Sequence, residues 1–178
     1  MVDLGKLVKT DIYVRYYETD RMKVVHHSNY FRYFELGRCD FFSQKVIPYS
    51  ILEEKYYVLS PLISAYCKFY RALKFEDILC LVTFVNRFDG IKVEFGYLGL
   101  YGRNSMQECS SLLTRYFSSR KRFDSLVCFG TTEHIFVDAQ TFKPVRAKVY
   151  IEEKGDSLDR IIMDMRVGAA VAQLDQSM

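Results

Sequence analysis

The stretch Tyr16–Glu35, YYETDRMKVVHHSNYFRYFE, decides how the chain is to be read. Before and into it, Ile12, Val14 and Tyr16 alternate with Tyr13, Arg15 and Tyr17, the two-residue period of a strand, and the run ends in the acids Glu18 and Asp20. Beyond a short loop the period changes. Tyr30, Phe34, Gly37 and Phe41 recur at i, i+4, i+7 and i+11, flanked by Phe31, Arg38 and Phe42, which predicts a helix over residues 29–46. Arg32, Glu35, Asp40 and Ser43 fall toward the opposite side, and Ser28 or Asn29 can cap the start. Gly37 sits inside the apolar stripe, where glycine costs about 1 kcal/mol against alanine in helix propensity. Its expected use is to let the helix approach a sheet closely.

So much aromatic surface on one helix needs a broad partner, and the remaining sequence supplies it. Residues 62–70, 78–87, 91–101 and 126–138 are rich in β-branched and aromatic residues with partial alternation, as in Ile91, Val93, Phe95 and Tyr97. Asp89-Gly90 is a hairpin-turn signal between two of them, and Pro61 fits a strand start or edge. Consecutive hairpins after one long helix predict an α+β fold, an antiparallel sheet with the helix packed on one face. Residues 103–122 read as an insertion. They carry Arg103, Arg115, Arg120, Lys121 and Arg122, and weak helical periodicity in Met106, Leu112, Leu113, Tyr116 and Phe117. A C-terminal extension, 148–178, holds a predicted amphipathic helix over 156–174, with Asp156 as its cap. Without internal repeats or linkers, residues 1–178 are expected to form one domain with a core of about 10–147.

Fourteen Tyr and 14 Phe with no Trp imply a well-filled core and substantial buried interface. A net charge of +3 is compatible with an anionic ligand and too small to argue for nucleic acid, even with the basic cluster Arg120–Arg122. Cys39, Cys67, Cys80, Cys109 and Cys128 are widely spaced and form no Cys-x-x-Cys pair, the usage expected of reduced thiols in a cytoplasmic protein. No apolar run approaches the roughly 18–20 residues that cross a bilayer, and no signal peptide is read at the start.

The chemistry points back to the opening stretch. Asp20 lies a few residues before a helix whose first N–H groups lack internal partners and sit at the positive end of its dipole. A carboxylate beside such donors suits attack on a carbonyl. His26 and His27 follow; neighbours in extended chain point opposite ways, so His26 is expected at a packing or surface position. Neither has a metal-ligand partner at useful spacing. Glu18 and His134 are expected to be solvated or structural.

The run VRYYETDRMKVVHHSNYFRYFELGR resembles the start of hotdog-fold acyl-CoA thioesterases, in the branch of 4-hydroxybenzoyl-CoA and Tol-Pal-associated thioesterases. KFYRALKFED is similar to the strand and turn after the helix, and TTEHIFVDAQTFKPVRA to the last strand. The resemblance implies a hotdog fold, a sheet wrapped around a long helix, with sites at the interface of a homodimer or homotetramer. By position it implies Asp20 as general base or nucleophile, the His27 backbone N–H as oxyanion donor, and Tyr16 near the reaction. It also implies substrate contacts at Asn29, Tyr30, Arg71 and Lys74. The substrate would be an acyl-CoA, with acyl carrier protein a further candidate partner and no separate cofactor, since coenzyme A is part of the substrate.

Three features depart from that pattern. Lys23 stands where the family usually has Gly, Ala72 replaces the usual Pro after Arg71, and about twenty extra residues precede the last strand. A hotdog hydratase needs an acid and a His separated by four residues; here five separate Asp20 from His26 and six from His27. The rival of another class is a silent acyl-CoA or acyl-carrier-protein binder using the same groove.

Overall fold

The computed structural model describes residues 3–119 and 121–147. The C-terminal helix expected over 156–174 and Arg120 of the basic cluster lie outside these residues. The elements run β1 (Val8–Tyr13), α1 (Ser28–Lys45), α2 (Tyr49–Glu54), β2 (Val58–Leu59), β3 (Leu62–Phe69), β4 (Ile78–Phe88), β5 (Lys92–Tyr101), α3 (Met106–Ser119), β6 (Leu126–Ile135) and β7 (Val137–Asp138). Five strands form one antiparallel sheet in the order β1-β4-β5-β6-β3, and β2 pairs with β7 beside it.

The long helix forms where the aromatic period predicts it and lies on one face of the sheet. Tyr30, Tyr33, Phe34, Phe41 and Phe42 are buried against Leu79, Leu81, Val85, Val93, Phe95 and Tyr97. Phe34 stacks on Tyr97 with centroids 4.3 Å apart. Phe31 is an exception, exposed on the outer side of the helix. Gly37 has the use expected of it. A Cβ there would meet Thr83 Oγ1 at 2.4 Å and Leu81 Cδ2 at 2.8 Å, so helix and sheet could not keep their spacing.

The second face of the sheet is covered too. α3 lays Cys109, Leu113, Tyr116 and Phe117 on Cys80, Val82, Phe84, Leu98 and Leu100. β4 and β5 are therefore buried on both sides, which is why their sequences read as apolar runs with only partial alternation. The predicted sheet with the long helix on one face is found, and the inserted segment adds a covering layer on the other. Asp89 and Gly90 make the turn between β4 and β5, with Asp89 Oδ1 accepting from the N–H groups of Ile91 and Lys92 and Gly90 at φ 92°.

β3 is an edge strand, and nearly all of its residues are exposed. Leu62, Ile63, Tyr66 and Phe69 are apolar, and each remains about half-exposed. The five cysteines are free thiols. No helix among the described residues is long and apolar enough to cross a membrane.

Candidate active site

The strand read through Tyr17 stops at Tyr13, and Tyr16–Glu18 is a single 3₁₀ turn. The reason is Glu18, whose carboxylate reaches back to accept the Arg15 N–H at 2.7 Å and closes the turn. Thr19 and Val25 then bridge, and between them residues 20–24 make a tight loop. The Asp20 N–H donates to Val24 O and the Lys23 N–H to Asp20 O, both at 2.9 Å. Asp20 Oδ1 accepts the Met22 N–H at 2.8 Å, the side-chain turn that aspartate favours. Oδ2 meets no donor among the described residues, and the residue is half-exposed. The carboxylate thus has one oxygen fixed and one turned free.

Lys23 adopts φ 62° in this loop, a left-handed conformation that costs a non-glycine residue roughly 1–2 kcal/mol. The departure from Gly at this position leaves the turn shape intact at the expense of strain. Lys23→Gly is expected to raise the unfolding free energy by roughly 0.5–1 kcal/mol, allowing for the flexibility glycine adds to the unfolded chain. Urea denaturation checks this.

His27 caps α1 in helical conformation. The N–H groups of Asn29 and Tyr30 are taken by His26 O at 3.0 Å and His27 O at 3.2 Å, and the Ser28 N–H makes a long contact to His26 Nδ1 at 3.4 Å. The His27 N–H meets no acceptor among the described residues. Of the helix-start amides, the His27 N–H is thus the one left open toward a ligand among the described residues. The two histidine rings do not diverge. Their centroids lie 4.1 Å apart because the backbone has already turned helical at His27, which corrects the extended-chain reading. Both residues are exposed, and His26 Nδ1 pairs with Ser28 Oγ at 2.8 Å.

Glu18 ties the loop to the helix. It is 7% exposed; its carboxylate also accepts from Tyr33 Oη at 2.8 Å, and its carbonyl accepts the His26 N–H at 2.9 Å and Asn29 Nδ2 at 2.8 Å. Burial, then this carboxylate, pushes the Tyr33 phenol up. Asn29 and Tyr30 are engaged inside the protein: Asn29 by Glu18, Tyr30 buried edge-on to Phe69 with its phenol pushed up by burial. On the far side the Val25 N–H donates to Leu73 O at 2.8 Å. Glu18→Ala strands the Tyr33 hydroxyl in the core and is expected to lower stability by about 2–3 kcal/mol; thermal or urea unfolding reads the loss. Sequence offered one cue to Glu18, an acid directly after the strand-like alternation that runs to Tyr17.

Tyr16 is 77% exposed and packs edge-on to Phe75, with Tyr13, Tyr17 and Met22 also open nearby in sequence. Arg71 is half-buried, its guanidinium 3.6 Å from the centroid of Tyr101 and Nη1 donating to Asp124 O at 3.3 Å. Lys74 is exposed, and its N–H donates to Asp77 Oδ2 at 2.7 Å.

Comparison with known proteins agrees with this architecture. The candidate acyl-CoA thioesterase YneP of Bacillus subtilis (strain 168) is 30% identical over 138 residues, 78% of this chain and 85% of that protein. The DHNA-CoA thioesterase of Staphylococcus aureus superposes with a TM-score of 0.68 at 22% identity, covering 88% of this chain and 91% of that one. The 4-hydroxybenzoyl CoA thioesterase of Pseudomonas sp. strain CBS-3 gives 0.64 at 13% identity, covering 83% and 98%. These two likenesses establish the fold. The profile of the Thioesterase-like superfamily matches residues 14–154, a span running from the end of β1 past the last described strand. The long helix, its enclosing antiparallel sheet and that match make the chain a hotdog-fold member of the Thioesterase-like superfamily, a family of thioester hydrolases.

Proposed function

We propose that the protein hydrolyses acyl-CoA thioesters to free acid and coenzyme A, with Asp20 and the His27 N–H as the reacting pair. The observation that carries this reading is the free Oδ2 of Asp20 in a pinned loop seven residues before an amide with no acceptor among the described residues. The thioester carbonyl oxygen is received by the His27 N–H, and negative charge develops there as the carbon becomes tetrahedral. One such donor is typically worth about 2.7–4 kcal/mol of barrier. With Asp20 as general base, water loses its proton to the carboxylate as its oxygen bonds the carbonyl carbon. The C–S bond then breaks, and the proton on Asp20 passes to the departing thiolate. With Asp20 as nucleophile, the carboxylate forms a mixed anhydride, thiolate leaves, and water opens the anhydride.

The reading includes a second copy of the chain. β3 offers an unpaired edge and open apolar residues on both faces, and Tyr16, Tyr17, Met22 and Phe75 add exposed apolar surface in and near the Asp20 loop. Long, flat apolar edges of this kind are covered in working proteins. A homodimer joined there is expected in light scattering, and a stable monomer that still turns over substrate would contradict it.

Thiol release from short, long and aromatic acyl-CoAs tests the activity. Release by at least one class supports it. Tight binding without release would make the protein an acyl-CoA sensor, and hydration of an enoyl-CoA would make it a different enzyme.

A further inference from the structure

A hollow of about 390 Å³ lies on the inserted segment, lined by Leu112 and Arg115 of α3 and by Arg122, Phe123, Asp124 and Ser125 on the way into β6. Arg115 and Arg122 reach it from different elements. Neither guanidinium has a carboxylate partner among the described residues. Arg115 rests against the buried Phe123 ring, 5.3 Å from its centroid, which fixes where its charge is held. Arg71 donates to the Asp124 backbone carbonyl on the wall of the hollow, which brings a third cation to its edge. Two forked cations facing a shared space are suited to a phosphate's oxygens. The volume is that of a small-molecule pocket rather than of a lone phosphate, and Leu112 with Phe123 gives it an apolar floor.

The hollow is also close to the reaction loop along the chain. Leu73 O holds the Val25 N–H of that loop, while Arg71 holds Asp124 O. The backbone of those three residues, Arg71 to Leu73, spans at most roughly 11 Å when extended, to which the Arg71 side chain adds its own length. An anionic group seated in the hollow would thus lie within reach of a flexible arm leading to Asp20.

From this juxtaposition we infer that the hollow seats the phosphate-bearing nucleotide end of the substrate's coenzyme A, with Arg115 and Arg122 gripping its phosphate monoester. The assignment rests on the acyl-CoA reading above and gives the insertion a role in substrate capture. Both arginines are exposed, and neither belongs to the apolar cluster that seats α3 on the sheet.

The test compares wild type with the double variant Arg115→Ala/Arg122→Ala on one acyl group carried by coenzyme A or by pantetheine, which has no phosphate. The expected result is a KM for acyl-CoA raised about 10-fold or more, with kcat unchanged and acyl-pantetheine unaffected. Equal KM values for acyl-CoA overturn the assignment. An unchanged KM combined with lost binding of adenosine 3′,5′-bisphosphate overturns it in favour of a free-nucleotide site. A defect confined to thioesters of acyl carrier protein overturns it in favour of a protein partner. Should no thioester be cleaved at all, the hydrolase reading fails by itself, and calorimetry with coenzyme A decides the hollow. About 10-fold weaker binding by the variant supports the assignment, whereas equal affinity or no binding by either protein overturns it.

Discussion

Asp20→Asn is expected to lower kcat for thioester hydrolysis by roughly 10²–10⁴ while leaving the fold as stable as the wild type. The substitution isolates charge from architecture. Asp20 Oδ1 accepts the Met22 N–H, and an Asn Oδ1 can keep that bond, so the loop is retained while the base or nucleophile is lost. Asp20→Ala removes both, and should show the same kinetic loss together with about 1 kcal/mol of destabilisation from the broken turn. Steady-state thiol release, paired with urea denaturation of each variant, reads the two effects separately. If Asp20→Asn turned over at the wild-type rate with the fold intact, Asp20 would be only a turn residue.

Acid is expected to destabilise the protein through His134. Burial, then the nearby Arg38 guanidinium, lowers its pKa from 6.5 to about 4. Its surroundings require the neutral ring. Nδ1 lies 3.0 Å from Ser60 O and must donate, so Nε2, 3.1 Å from Thr132 Oγ1, accepts the threonine proton, and Tyr97 in turn donates its hydroxyl to Thr132 at 2.8 Å. Between pH 6.5 and 4 the unfolded chain binds a proton at this residue that the folded chain refuses. The unfolded state therefore gains on acidification: stability is whole above pH 6.5 and falls by about 3 kcal/mol on reaching pH 4. Unfolding free energies of wild type and His134→Gln across that range check the sign. The variant should be less stable at neutral pH yet lose less on acidification, and parallel curves would contradict the assignment.

Much of the fold could be read from the sequence because its signals are periodic or local. The helix stripe from Tyr30 to Phe41, the close approach at Gly37 and the Asp89-Gly90 turn all follow from spacing or from backbone chemistry. Most of the features that escaped depend on partners elsewhere in the chain. Glu18 ends β1 early by closing its own turn, and its bond to Tyr33 joins residues 15 positions apart. α3 looked only weakly amphipathic, and its place on the second sheet face depends on Cys80, Val82, Phe84, Leu98 and Leu100 arriving there together. The short helix α2 carries too few turns for a period to emerge. Of the candidate site, the short loop that carries Asp20 before α1 was readable. The His27 amide was named only by resemblance; periodicity and spacing do not single it out, because which helix-start amides stay open depends on which of them the carbonyls of His26 and His27 take.

The most direct examination of the proposed chemistry is a crystal structure with an acyl-CoA analogue whose thioester sulfur is replaced by a methylene group. Such a ketone keeps the carbonyl oxygen and cannot be hydrolysed. The oxygen should lie about 2.7–3.1 Å from the His27 amide nitrogen, with an Asp20 oxygen facing the carbonyl carbon directly or through one water. A carbonyl bound elsewhere, or an Asp20 carboxylate directed away from it, would contradict hydrolysis at this helix start.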